Sequence, residues 1–393
     1  MTQKKSTLTA LGRRGFLRSS AAFGAVSLTG LPAFAQSGGN EVIIADIGVG
    51  DPGGDWSRFT GETGNSVNMV SIGNAPAAII NQLLAGGGMQ TFDIINIVGG
   101  MQKPLAEAEL IQKIDRSKLP NLATNTYIDT YLAQGTPGFD FIGYDGELYG
   151  VPTVLQADSF AYLPDETGEL DSYGALFDPR FKGYVSIEDN YTTAGQKTAL
   201  YLKANGLAEI EDPSDMTPGE LKTVIDFLIE KKKEGQFRVI WSSFEQAVNL
   251  LVSKEVHVMD CWEPMVFVAN SQGANVRYAA PREGYLMWAM AAYVVNNPDR
   301  SPEQTEAAYE LLNFMLGPWY GATITGLRGY MTNPTAPQFA KNNGDIFSAE
   351  DAGKIAAIDA GVQERFAVGG TWQNRWPTNV ELYEEEWQRF KAS

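Results

Sequence analysis

The chain holds a single cysteine, Cys261, and a single histidine, His257. One thiol excludes an internal disulfide. One imidazole and one thiol leave almost no room for a zinc site, a serine triad or a cysteine protease. The glycine-rich stretch Gly48–Gly54 lacks both G-x-G-x-x-G and G-K-[ST], so no dinucleotide or P-loop signature is present. Internal repeats and low-complexity segments are missing too. Positive charge is scarce, with 30 Lys and Arg against 47 Asp and Glu, a net charge of −17. Such a surface does not bind nucleic acid or anionic lipid by electrostatics. It draws cations.

The basic residues that do occur are unevenly spread. Lys4, Lys5, Arg13, Arg14 and Arg18 precede a weakly apolar run broken by Gly24 and Gly30, and Ala33-Phe34-Ala35 has the small-x-small form of a cleavage site. The run is too short and polar to span a membrane. Gly12-Arg13-Arg14-Gly15-Phe16-Leu17 resembles a twin-arginine export signal. Residues 1–35 are therefore expected to be cleaved near Ala35 on export to the periplasm. Their five basic residues and lack of acids take the net charge of the remainder to −22.

About 358 residues remain, more than one core supports, so two domains are expected. Short apolar runs bounded by turns predict buried strands at Glu41–Asp46, Val67–Ile72 and Phe92–Val98. Helices are expected at Trp56–Glu62 and Ala77–Ala85, the latter opened by Pro76 and stopped by Gly86–Gly88. A second series places strands at Ser159–Leu163, Tyr184–Ile187, Arg238–Trp241 and Val256–Asp260. Thr217-Pro218-Gly219-Glu220 forms a capping box, with Gly235 as the stop, and Ser301-Pro302-Glu303-Gln304 repeats the device ahead of a helix running to about Leu316. The rhythm is that of an α/β protein with parallel strands. Tyr285–Val295 carries no charge and reads as a buried strand with Trp288 at its middle.

Several segments resemble one family. They are Glu109–Leu119, Leu148–Pro152, Trp262 with Phe267–Asn270, Pro281–Gly284, Leu311–Leu316, Gly329-Tyr330, Trp372-Gln373-Asn374 and Tyr383–Trp387. In order and spacing they are similar to the periplasmic polyamine (spermidine/putrescine) binding proteins of ABC importers, family 1 extracellular solute-binding proteins. The resemblance implies a two-lobe periplasmic binding protein fold with crossing hinge strands and a ligand held in the cleft between lobes. It also implies closure coupled to an ABC permease in the inner membrane, a monomer and no cofactor. Lobe one is expected from 36–152 plus 290–330, and lobe two from 153–289 plus 331–393.

The resemblance also locates the cleft, and there the chain departs from the family. Trp288 is kept, but Met290 stands where the family carries an amine-pairing aspartate. Thr192 stands where a second carboxylate is expected, in the segment Glu188–Thr192. Ile47–Gly50 and Val98–Met101 replace first-lobe aromatics. Primary ammonium groups call for carboxylates, whereas a quaternary ammonium or sulfonium has no N–H to donate and is held by ring faces. Trp262, Trp288, Tyr330, Trp241, Tyr191 and Trp376 are the candidate rings, with Gln373 beside the last. Trp372 and Trp387 read as core. A carboxylate on the ligand would meet Arg328, Arg375 or the amides of Gly48–Gly54. Glu263 and Asp158 are the acids that would serve a primary amine.

The first reading is thus capture of an onium compound such as glycine betaine, choline or dimethylsulfoniopropionate. The alternative is polyamine binding by a rearranged acidic site. An exported lyase using Asp46, Asp158 and Glu263, and a metal receptor, are the readings of other classes.

Overall fold

The computed structural model describes residues 39–73, 80, 82–84, 87–373 and 376–393. The expected export segment, much of the expected helix 77–85 and the candidate Arg375 lie outside the described residues. Twelve strands are described: β1 Glu41–Asp46, β2 Ser66–Ser71, β3 Ile94–Val98, β4 Gly143–Tyr144, β5 Glu147–Leu148, β6 Gly150–Tyr162, β7 Val185–Glu188, β8 Phe237–Trp241, β9 Val258–Cys261, β10 Arg277–Tyr278, β11 Tyr285–Val294 and β12 Gly370–Trp372. Ten join one sheet along the path β2-β1-β3-β11-β6-β9-β7-β8, with β10 beside β6 and β12 beside β11.

The expected strands form, and the expected parallel sets are there except at Ser159–Leu163, which was expected to open the second set and instead pairs antiparallel with β9. β2, β1 and β3 pair in parallel at one end, and β9, β7 and β8 do so at the other. What the sequence pattern did not give is the join. β11 and β6 lie antiparallel between the two sets, with Leu286 opposite Asp158 and Trp288 opposite Gln156. The strand expected at Ser159–Leu163 is the far end of this much longer β6.

Every residue of β6 and of β11 is buried. At about 3.3 Å per residue, the 13 residues of β6 run some 40 Å, enough to leave one core and enter another. Val151, Val154, Leu155 and Ala157 pack in a first core with β1, β3, β11 and the helix Pro302–Met315. Phe160 and Tyr162 pack in a second with β7 and the helices Gln196–Ala204 and Pro218–Lys233, while Ala161 joins a third around Phe244–Val252 and Glu263–Ser271. The chain returns once more: Val362 and Phe366 of the helix Ala349–Val368 join the first core, and Tyr383, Trp387 and Phe390 of the helix Val380–Ala392 join the second.

The helix signals are realised in detail. Thr217 accepts from the Glu220 N–H and the Glu220 carboxylate accepts from the Thr217 N–H, a complete capping box. Ser301 caps Pro302–Met315 through the Gln304 N–H at 3.1 Å. Among the described residues no helix is long and apolar enough to cross a membrane.

Candidate functional site

The crossing pair places Asp158 and Trp288 on one face of the sheet, diagonal across the β6–β11 register. The Trp288 indole N–H donates to Asp158 Oδ2 at 2.8 Å. The Tyr278 hydroxyl lies 3.3 Å from Asp158 Oδ1. Tyr330 closes on Trp288 edge to face, with ring centroids 5.3 Å apart. It is delivered there by Gly329, whose φ of +80° ends the helix Pro318–Arg328 and turns the chain back.

Asp158 is 1 % exposed. Burial pushes its carboxyl up to about 6, against the opposing pull of Lys197, the Trp288 N–H and Arg365. The group is therefore poised to gain from a cation.

Behind it lies a buried charge network. Lys197, from the helix Gln196–Ala204, is fully buried and ion-paired with Asp260 of β9. Burial alone would lower the Lys197 ammonium, but Asp260, Asp158 and Glu188 together raise it, so it remains charged. Glu188, at the end of β7, is pushed up by burial and then by Asp260. Its Oε2 accepts from the Trp262 indole N–H at 3.1 Å. Glu263, the first residue of its helix, is held by Arg365 at 2.7 Å and by the Gln156 amide at 3.1 Å. Arg365 also lies over the Tyr278 ring, 5.5 Å from its centroid.

Asp158, Trp288, Tyr330, Glu263 and Trp262 are thus brought together around β6. The other candidates stand elsewhere. Trp241 is 1 % exposed and packs edge-on behind Trp262 at 5.7 Å, its N–H given to the Asp260 carbonyl. It backs a wall and does not face a ligand. Tyr191 is buried in the second core against Tyr383, because the π-helical turn Tyr191–Gly195 rolls it inward. Trp376 has a left-handed φ of +57° and packs against the first core. Gln373 donates its backbone N–H to the Met287 carbonyl, beside Trp288, and its buried Oε1 has no partner among the described residues.

Two expectations need correction. Acids were expected to be depleted, yet the fold gathers Asp158, Glu188, Asp260 and Glu263. Glu188 and Asp260 were missed because the carboxylates come from strand ends that meet only once the sheet is assembled. The amides of Gly48–Gly54 were offered to a ligand carboxylate, but those of Gly48 and Gly50 are taken by Asp46 and that of Gly54 by Asp51. Asp46 is further bound by Asn96 at 2.6 Å, and Glu263 by Arg365, so neither is a free acid or base of the kind a lyase needs. Lys197 and Arg365 were also missed. A lone cation in an amphipathic helix reads as solvated until its neighbours are known.

Two α/β cores joined by crossing strands, with a buried polar cluster at the crossing, define a two-lobe receptor for a small solute. A family model described as bacterial extracellular solute-binding protein matches residues 57–355, and the chain belongs to that family. It is 24 % identical over 345 residues to the spermidine/putrescine-binding periplasmic protein 1 of Haemophilus influenzae, covering 87 % of this chain and 86 % of the relative. It is 25 % identical over 286 residues to the spermidine/putrescine-binding periplasmic protein of Escherichia coli, covering 72 % of each. The solved substrate-binding protein of a spermidine/putrescine ABC transporter from Streptococcus pneumoniae superposes with a TM-score of 0.65 at 17 % identity, covering 90 % of this chain and 99 % of that one. The protein is the substrate-binding component of an ABC importer.

Proposed function

We propose that the protein captures a small organic cation at the crossing of β6 and β11, with Asp158 as its counter-ion and Trp288, Tyr330 and Trp262 as its walls. The best supported cationic group is a primary amine, the group that the polyamines putrescine and spermidine carry. The observation that carries this reading is the buried Asp158 carboxylate, backed by three further acids and held, among the described residues, only by neutral donors, the Trp288 indole and the Tyr278 hydroxyl. Carboxylates suit a group with N–H to donate. The relatives named for spermidine and putrescine point the same way.

The onium reading rests on the rings. Trp288 and Tyr330 meet edge to face with Trp262 near them, and ring faces attract a methylated cation by about 0.5–2 kcal/mol per ring. On either reading the chain leaves the first lobe along β6 between Ala157 and Phe160, and the two lobes close over the ligand. The receptor is a periplasmic monomer, exported by the twin-arginine route, that hands its ligand to a permease in the inner membrane and performs no chemistry on it.

A thermal-shift screen of the mature protein separates these ligands. A compound at 100 times its Kd adds about 2.7 kcal/mol of stability. A shift with putrescine or spermidine supports the amine reading. A shift with choline, glycine betaine or dimethylsulfoniopropionate alone replaces it with the ring-based one.

A further inference from the structure

Two guanidinium groups flank the crossing strands, and they differ in what they hold. Arg365 is paired with Glu263. Arg328 makes no ion pair among the described residues: its Nη2 donates to the Asp51 carbonyl at 3.0 Å, and its Nε is buried without a partner. The carboxylate of Asp51 is turned to the Gly54 N–H at 2.6 Å. Arg328 ends the helix Pro318–Arg328, and Tyr320 of the same helix binds the Gly50 carbonyl at 2.8 Å. The helix end is thereby fixed against the loop that follows β1, at the C-terminal edge of the parallel strands, where ligands of such sheets sit. Two residues on, Tyr330 feels both charges: after burial, Asp158 is the next influence raising its hydroxyl and Arg328 opposes it. A buried anion and an unpaired cation therefore flank one ring that also touches Trp288.

The charges narrow the ligand further. Among the described residues Asp158 has no direct cationic partner and Arg328 no direct anionic one, and in a dry site each uncompensated ion carries a large desolvation penalty. A ligand with one charge of each sign answers both.

We infer that the ligand is a zwitterion, with its cationic end on Asp158 and a carboxylate on Arg328. This rests on the reading that Asp158 takes the cation. The guanidinium fork suits a carboxylate through two parallel N–H donors, which a lysine cannot reproduce. The class is that of ω-amino acids and carboxylated onium compounds.

The test uses chain-matched pairs, putrescine with 4-aminobutyrate and choline with glycine betaine, titrated calorimetrically into wild type, Arg328→Gln and Arg328→Lys. Unchanged circular dichroism spectra and melting points show that the variants fold. The expected result is that wild type prefers the carboxylated member of a pair. Arg328→Gln then loses roughly ten- to a hundredfold in affinity for that member and gains or keeps affinity for the purely cationic one, and Arg328→Lys falls between. Tighter binding of putrescine or choline, unaltered in Arg328→Gln, overturns the zwitterion and leaves cation capture standing. Failure of all four compounds to bind wild type counts against both.

Discussion

Asp158 shows how one side chain can set the behaviour of a site. Its carboxyl sits near 6 because burial disfavours the charge. A cation needs the ionised form, so affinity should fall as the pH drops through 6 and be close to full above 7. The stability of the empty protein carries the opposite sign. The folded state holds this proton more tightly than the unfolded chain, whose carboxyl lies near 3.8, so this group's contribution is favourable below 3.8 and is lost as the pH rises through 6. Asp158→Asn should weaken cation binding about ten- to a hundredfold, by losing charge-assisted hydrogen bonds of about 1.5–3 kcal/mol, and should flatten the affinity profile between pH 5.5 and 7. Calorimetric titration at the two pH values checks both effects. Lys197→Met should cost about 3–5 kcal/mol in denaturant unfolding, since Asp260 would be left buried and unpaired. Retained stability in that variant would contradict a structural role for this buried ion pair. Neither Lys197 nor Asp260 is conspicuous in the sequence. Asp158 and Trp288 were, but their bond depends on a register between strands 130 residues apart.

Elements were the most legible level. The signals at 217–220 and 301–304 name both cap residues and both helix starts, because caps and prolines act over four residues and need no tertiary partner. Thr217→Ala should accordingly destabilise the protein by about 1 kcal/mol, read from the denaturant midpoint with an unchanged slope. The short parallel strands were equally clear. β6 was not, since a strand buried on both faces along 13 residues has no alternation to mark its length, and Thr153, Gln156 and Asp158 interrupt its apolar run. Those interruptions were the trace of the site. Thr153 reaches Asn96, Gln156 reaches Glu263, and Asp158 reaches Trp288. Tyr191 was misplaced for a related reason: the π-helical turn that rolls it into the second core has no signature in its sequence.

At the scale of the molecule, the charge-free strand Tyr285–Val294 is explained by its position. It is covered by β3, β6 and β12 along its edges and lies within the first core. Its tryptophan is the point where that core reaches the charges of the other. The acidity of the whole chain then acts as a long-range lure, and the uptake rate of a cationic ligand should fall with added salt. The central claim is that a cation is held at this crossing by Asp158. Calorimetric titration of wild type and Asp158→Asn with putrescine, choline, 4-aminobutyrate and glycine betaine tests it most directly. The account predicts that at least one binds wild type and weakens at least tenfold in Asp158→Asn. Equal binding to both proteins would contradict it.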